Sequence, residues 1–173
     1  MGKVNYGLFV LIMFSLLLVG CIGAESDSIP MQEQIRLRIE SISKVGKLSG
    51  HHISGHKNRV QDITVENGEA VLKLIASPDF NADGVLSLAI DRSALIFKAL
   101  FQEERFATLN EVLIEWCYPV TNIKGHASLY PLVVIKLSRT TATTINWANF
   151  TTANLVSIAD HYWENLNTEE LVQ

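Results

Sequence analysis

The segment that most constrains the fold is a pair of alternating runs joined by Asn67-Gly68. Residues 59–66 alternate apolar and polar side chains, and residues 70–75 continue as a second, apolar-rich run. Asn-Gly is typical of a type I′ turn, because both of its positions need a positive φ. The sequence therefore predicts a β-hairpin over 59–75, with Pro78 ending the second strand.

Helical periodicity flanks this hairpin on both sides. The apolar residues of segment 30–46 recur at helical spacing, which predicts an amphipathic helix; they are Ile35, Ile39, Ile42 and Val45. Segment 46–57, rich in glycine, serine and histidine, is predicted to be a loop. Segment 88–106 predicts a long second helix, with Asp91 or Ser93 as its cap if it begins late.

The second half of the chain repeats the strand pattern and ends in helical segments. Strands are predicted at 111–118 and 129–137, joined by a turn at 121–128, and Pro131 makes the start of the later strand an edge or an entry. A short helical turn is predicted at 140–145. A further helix is predicted from Thr151 or Thr152 through Asn165.

This order, α-β-β-α-β-β-α, predicts an α+β fold in one domain. Four antiparallel strands covered on one side by helices would bury a single core. No internal repeat or second-domain linker is evident, so residues 30–173 are assigned to one domain.

Residues 1–20 have the pattern of a lipoprotein signal peptide. Lys3 and the amine give a positive start, an apolar run follows, and Leu18-Val19-Gly20-Cys21 forms a lipobox. We expect cleavage before Cys21, lipidation of its thiol, and residues 21–29 as a tether. The alternative is an uncleaved anchor, because about 17 apolar residues reach the lower limit for spanning a bilayer. Either interpretation places the domain at the membrane, outside the cytoplasm.

Composition limits the classes of partner that we expect and the reactions that we expect of the cysteines. Removing residues 1–20 leaves 153 of the 173 residues, and the loss of Lys3 changes the formal net charge from −4 to about −5. The sequence has no basic stripe to neutralise phosphates, so nucleic acid is not an expected partner. With Cys21 lipidated, Cys117 is left without a disulfide partner, and its run of strand-forming neighbours predicts a buried, inert thiol.

Three histidines cluster in the predicted loop at His51, His52 and His56. Imidazoles in a loop can bind zinc, copper or nickel, and Asp62 follows as a candidate fourth ligand. The spacing matches no standard zinc pattern, so the competing interpretation is a solvated polar loop.

Asp79, Asn81 and Asp83 match the opening of an EF-hand loop, D-x-N-x-D-G. Position twelve of that loop requires a bidentate acid, but Ile90 stands there and Asp91 comes one residue late. A polar turn between strand and helix is therefore the alternative to a calcium site.

Other motifs give weaker indications. Asn149-Phe150-Thr151 is an N-glycosylation sequon, although Phe150 also suits a packing role. Asp160, His161 and Glu164 would crowd one turn of the predicted last helix, but the sequence places no nucleophile beside them. Glu103 and Glu104 are interpreted as a solvated helix face. We expect neither a catalytic apparatus nor a cofactor.

The C-terminal region contains a run of signature residues, Ile145-Asn146-Trp147-Ala148-Asn149-Phe150, followed by Asn154-Leu155, Ala159-Asp160 and Tyr162-Trp163. With these residues the chain resembles an uncharacterised domain of small secreted proteins and lipoproteins of Gram-positive bacteria and some methanogens. The resemblance extends over about 61–163 and implies one domain outside the cytoplasm, with no activity assigned. Ala148 stands where such relatives often have an acidic residue, so no role is transferred there. The large aromatics are expected to seal the last helix against the sheet; they are Trp147, Phe150, Tyr162 and Trp163.

These features together predict a lipid-anchored, non-catalytic binding module whose uncovered sheet face or edge strand receives a protein or peptide partner. The alternative is a small metal-binding or hydrolytic protein that uses His51, His52 and His56.

Overall fold

The computed structural model describes residues 29–45, 47–48, 51–52, 59–76, 82–121 and 124–165. The signal peptide and Cys21 lie outside these residues, as do His56, Asp79 and Asn81. In chain order the elements are α1 (Met31–Val45), β1 (Lys47–Leu48), β2 (His51–His52), β3 (Arg59–Glu66), β4 (Glu69–Ile75), α2 (Ala82–Gln102), a 3₁₀ turn (Glu104–Phe106), β5 (Glu111–Thr121), β6 (Ala127–Ser138), α3 (Arg139–Thr144), a second 3₁₀ turn (Thr152–Asn154), α4 (Leu155–Ile158) and β7 (His161–Glu164).

The predicted hairpin is confirmed. Strands β3 and β4 pair antiparallel, and Asn67 and Gly68 both have positive φ, 52° and 81°, as a type I′ turn requires. The carbonyl of Gly68 accepts hydrogen bonds from the N–H groups of Asn110 (2.7 Å) and Glu111 (3.3 Å). The turn is thereby attached to the start of β5.

The sheet is mixed and five-stranded, in the order β3-β4-β5-β6-β7, so the prediction of four antiparallel strands was wrong in detail. Strand β4 pairs with β5 in parallel, whereas every other neighbouring pair in this sheet is antiparallel. The reason is the 21-residue helix α2 between them, because a helical crossover returns the chain to the same end of the sheet and the next strand then runs parallel.

The second error lies at the C-terminus, where the predicted helix over 151–165 is largely absent. Helical structure ends at Ile158, and β7 then pairs antiparallel with β6 from Val133 to Lys136. The N–H of Asp160 donates to the carbonyl of Lys136 (3.0 Å), which aligns the chain with β6 before β7 begins. Pairing with a strand distant in sequence therefore overrides the local helical pattern.

Smaller differences concern the other elements. Helix α2 begins at Ala82 instead of near residue 88, so Ser93 lies inside it and does not cap it. The predicted loop at 46–57 contains the two-residue ladder of β1 and β2. The α1 helix and the short helix at 140–145 are confirmed within a residue of their predicted starts. Pro131 lies at a bulge where Leu132 has no opposite residue on β5.

The core lies between α1, α2 and one face of the sheet. Ile35, Ile39, Phe97 and Leu100 face alternate residues of three strands, and all are fully buried; the strand residues are Leu72 and Leu74 of β4, Val112 and Ile114 of β5, and Val133, Ile135 and Leu137 of β6. This period of two leaves the intervening side chains on the opposite face.

Polar atoms inside the core are paired. The indole N–H of Trp116 donates to the hydroxyl of Ser93 (2.8 Å), which donates in turn to the carbonyl of Ala89 (2.8 Å). Burying the largest core side chain therefore leaves no unsatisfied donor.

Among the described residues, none of the helices is both long and apolar enough to cross a bilayer.

Candidate functional site

The second face of the five-stranded sheet carries the candidate site, and we call it the open face. It is defined by three rows of side chains in register across the strands: Glu66, Glu69 and Glu111; then Thr64, Val71, Leu113, Lys136 and His161; then Asp62, Lys73, Glu115, Val134 and Trp163. Each row alternates with a buried row, which places its members on the side of the sheet away from the helices.

Two large apolar side chains of the open face are exposed to solvent. Val71 is 41% exposed at the middle of β4, and Trp163 is 43% exposed on β7. The expectation that Trp163 seals a helix against the sheet was therefore wrong, because its register with Val134 turns it away from the core. Tyr162, the neighbouring residue, is the one that packs on the core.

Ion pairs cross the open face between neighbouring strands. The ammonium of Lys73 lies 3.4 Å from the carboxylate of Glu115, and that of Lys136 lies 3.2 Å from Glu111. Both pairs are partly exposed, so each contributes little to stability. They do neutralise two of the carboxylates on this face.

Three carboxylates of the face lie in one row near the β3–β4 turn. Glu66 stands directly opposite Glu69, and Glu69 stands directly opposite Glu111. Like charges in directly opposite positions destabilise a sheet. Among the described residues, no cation lies within ion-pair distance of Glu66 or Glu69. We call this row of three glutamates the acidic row; within the part of the chain that the structure describes, the cation paired with it is Lys136.

Both edges of the sheet are poorly suited to accept another strand. Strand β3 has a register shift between Val60 and Asp62, and β7 is four residues long. Bulges and short edge strands are common devices that prevent edge-to-edge pairing. The open face, and not an edge, is therefore the better-formed surface for a partner.

Cys117 is buried, as predicted from its neighbours, with 1% of its surface exposed. Burial, followed by the charge of Glu115 and a hydrogen bond to it, raises the pKa of the thiol to about 11, although Lys73 opposes the shift. The thiolate, which is the nucleophile, is thus disfavoured at neutral pH.

Asp160, His161 and Glu164 are not brought together. The carboxylate of Asp160 accepts hydrogen bonds from the N–H of Ser138 (2.5 Å) and the hydroxyl of Thr141 (2.6 Å) at the start of α3. The carboxylate of Glu164 accepts instead from the hydroxyl of Tyr162. His161 lies on the open face in the row of Lys136. The three side chains therefore have separate surroundings.

The candidate metal ligands are only partly covered by the structure. His51 and His52 form β2, and Asp62 is an exposed residue of β3 whose carboxylate accepts from the N–H of Ile63 (2.9 Å). Asp83 lies in the first turn of α2. In an EF-hand, the corresponding fifth position lies inside the calcium-binding loop. Within the described ranges, no three His, Cys, Asp or Glu side chains are grouped to hold a metal ion.

The sequon at Asn149 lies in an exposed turn. Its neighbour Phe150 packs edge-to-face on Trp147, with ring centroids 5.3 Å apart, and Trp147 is buried. The packing role predicted for these two aromatics is confirmed.

The helix layer contains a charged contact that the sequence did not indicate. The carboxylate of Glu103 lies 2.5 Å from Arg38 of α1 and 2.6 Å from Arg105, so it joins α1 to the end of α2 and is more than a solvated side chain. Glu104 is exposed, as expected. Nothing in the spacing of Arg38 and Glu103 along the chain could have revealed their contact.

Comparisons of the chain with protein-family models, curated proteins and solved structures found no match. The resemblance in the C-terminal region therefore stays a prediction.

Proposed function

We propose that the protein is a lipid-anchored module outside the cytoplasm that binds a protein or peptide on the open face of its sheet. The observation that carries this proposal is the exposure of Val71 and Trp163 together on a face that no described helix covers. Contiguous apolar area with a polar rim is typical of interaction surfaces, and Leu113 and Val134 on the two strands between Val71 and Trp163 make the apolar area continuous. The proposed anchor is a lipid on Cys21, followed by residues 22–29 as the tether.

The open face has the two components of a binding surface, an apolar area and a surrounding of charged side chains. Val71 and Trp163, with the partly buried Leu113 and Val134, supply apolar area, and charged side chains surround them. Aromatic side chains such as Trp163 contribute strongly to binding because they bury a large area with few rotatable bonds. Because both edges of the sheet are poorly suited to accept another strand, the open face is the favoured surface for a partner.

Site-specific photo-cross-linking in intact cells tests the proposal. A photoreactive residue replaces Val71 in the full chain, and a matched variant carries it at Leu37, which is 48% exposed on α1. We expect one defined adduct from position 71 and none from position 37. Equal patterns from both positions, or no adduct from position 71, would contradict binding at the open face.

The same cells test the anchor. Metabolic labelling with an alkyne fatty acid should label the wild-type chain and a Cys117→Ser variant, because the thiol of Cys117 is buried. A Cys21→Ser variant should lose the label, remain uncleaved and give no adduct of the mature chain. An unlabelled wild-type chain beginning at Met1 would contradict lipid anchoring.

A further inference from the structure

We infer that the partner of the open face is a cationic amphipathic helix, whose basic side chains contact the acidic row and whose apolar side chains contact Val71 and Trp163. This inference rests on the proposed function and adds the chemistry of the partner.

The acidic row works against folding. Glu66 faces Glu69 across the antiparallel pair, and Glu69 faces Glu111 across the parallel pair, so repulsion accumulates across three strands. Lys136 offsets the charge of Glu111 alone, from 3.2 Å. A bound cationic group would offset this repulsion, so the charge of the acidic row favours a basic partner.

Charge also determines which partner fits. In the three rows of the open face, five carboxylates stand against two lysines; the carboxylates are Asp62, Glu66, Glu69, Glu111 and Glu115, and the lysines are Lys73 and Lys136. A second copy of this chain would bring the same acidic face and be repelled, and anionic lipid headgroups would be repelled equally. A basic partner is attracted.

The dimensions of the face suit a helix. From β3 to β7 the sheet is about 19 Å wide, given strand spacings of about 4.8 Å. A helix of about 13 residues has that length, at 1.5 Å per residue. Lying across the strands, one apolar stripe would contact both Val71 and Trp163, and basic residues beside the stripe would reach Glu66 and Glu69.

Binding of a designed peptide to the full, detergent-solubilised chain tests the inference. The probe is a fluorescent amphipathic helix of about 14 residues built from Leu and Lys, and its counterpart replaces each Lys by Glu. We expect saturable binding of the Lys peptide, weakening as salt is added, and no binding of the Glu peptide. Empty micelles of the same nonionic detergent provide the blank.

Two double variants test whether the Lys peptide contacts the acidic row. Glu66→Gln with Glu69→Gln should weaken binding of the Lys peptide by about fivefold, as expected for the loss of two exposed ion pairs. Glu40→Gln with Glu104→Gln makes the same change in charge at exposed positions of the helix layer and should leave the affinity unchanged. Binding should also shield Trp163 from acrylamide quenching, since the other two tryptophans, Trp116 and Trp147, are already buried.

The outcomes separate the inference from the proposed function. Equal affinities in both double variants, or equal binding of the Glu peptide, would overturn the inference. If position 71 still gave its defined adduct in cells, binding at the open face would stand and only the cationic chemistry of the partner would be wrong. Without that adduct, the proposed function itself would fail.

Discussion

At the scale of single residues, the groups around Asp160 change the pKa of its carboxylate. Partial burial acts to raise the pKa of Asp160. Hydrogen bonds from the hydroxyl of Thr141 and from the N–H of Ser138, together with the charge of Lys136, outweigh burial, and the pKa is lowered below its ordinary value. The ionised carboxylate thus stabilises the junction of β6 and α3.

We predict a pH-dependent loss of stability for Asp160→Asn. Because the pKa is lower in the folded chain, the contribution is fully present above the unfolded pKa, about 4, and is lost as pH falls through the folded pKa. Thermal unfolding should show a lower Tm for the variant at pH 7 and a smaller difference at pH 3. Asp62→Asn, at an exposed aspartate of β3, provides the control. A difference that is constant with pH would contradict this explanation.

Gly68 supports the hairpin in two ways: it adopts a positive φ, and its lack of a Cβ lets neighbouring atoms approach closely. Its φ is +81°, and a Cβ there would lie 2.9 Å from the carbonyl oxygen of Thr108 and 2.7 Å from the side-chain nitrogen of Asn110. The first contact is with backbone, which cannot move aside without displacing the start of β5.

We predict that Gly68→Ala costs more than Gly125→Ala in urea denaturation. Gly125 has nearly the same φ, +80°, but no atom of the described residues lies within 4 Å of its added Cβ. The Gly125 variant should lose about 1 kcal/mol, the cost of a left-handed conformation for alanine. The Gly68 variant should lose about 2–3 kcal/mol, because overpacking is added. Equal losses would show that the contact with Thr108 does not matter.

At the scale of elements, the sequence predicts those whose patterns are local. The β3–β4 hairpin follows from alternation and Asn67-Gly68, and α1 follows from the spacing of Ile35 and Ile39. Strand β7 could not be predicted in this way. Its four residues are too few to define a period, and they become a strand because β6 offers a free edge from Val133 to Lys136.

The parallel pairing of β4 and β5 also depends on more than local pattern. The lengths and apolar patterns of β4 and β5 fit either direction, and the direction depends on how α2 carries the chain between them. A helix of 21 residues makes a crossover that a short turn cannot make. The predicted order already placed a helix between these two strands, but the prediction of an antiparallel sheet did not take the crossover into account.

At the scale of the whole molecule, the candidate site was only partly open to prediction. A sheet covered by helices on one side is predicted from the order of elements, and the described long helices do pack on one face. The composition of that face depends on register across five strands, which brings Glu66, Glu69 and Glu111 into one row from separate segments. Trp163 joins the face only because β7 exists. These juxtapositions depend on tertiary structure and not on spacing in the chain.

The central claim is that the acidic row serves binding of a basic partner although it weakens the fold. One stability measurement tests the second part of this claim most directly. Urea denaturation at low salt compares the wild-type chain with the double variant Glu66→Gln and Glu69→Gln. We predict that the variant is more stable by about 0.5–1 kcal/mol, because repulsion between opposite strands is removed, and that added salt reduces the gain. A variant less stable than wild type would show that these carboxylates support the fold, which would contradict the claim.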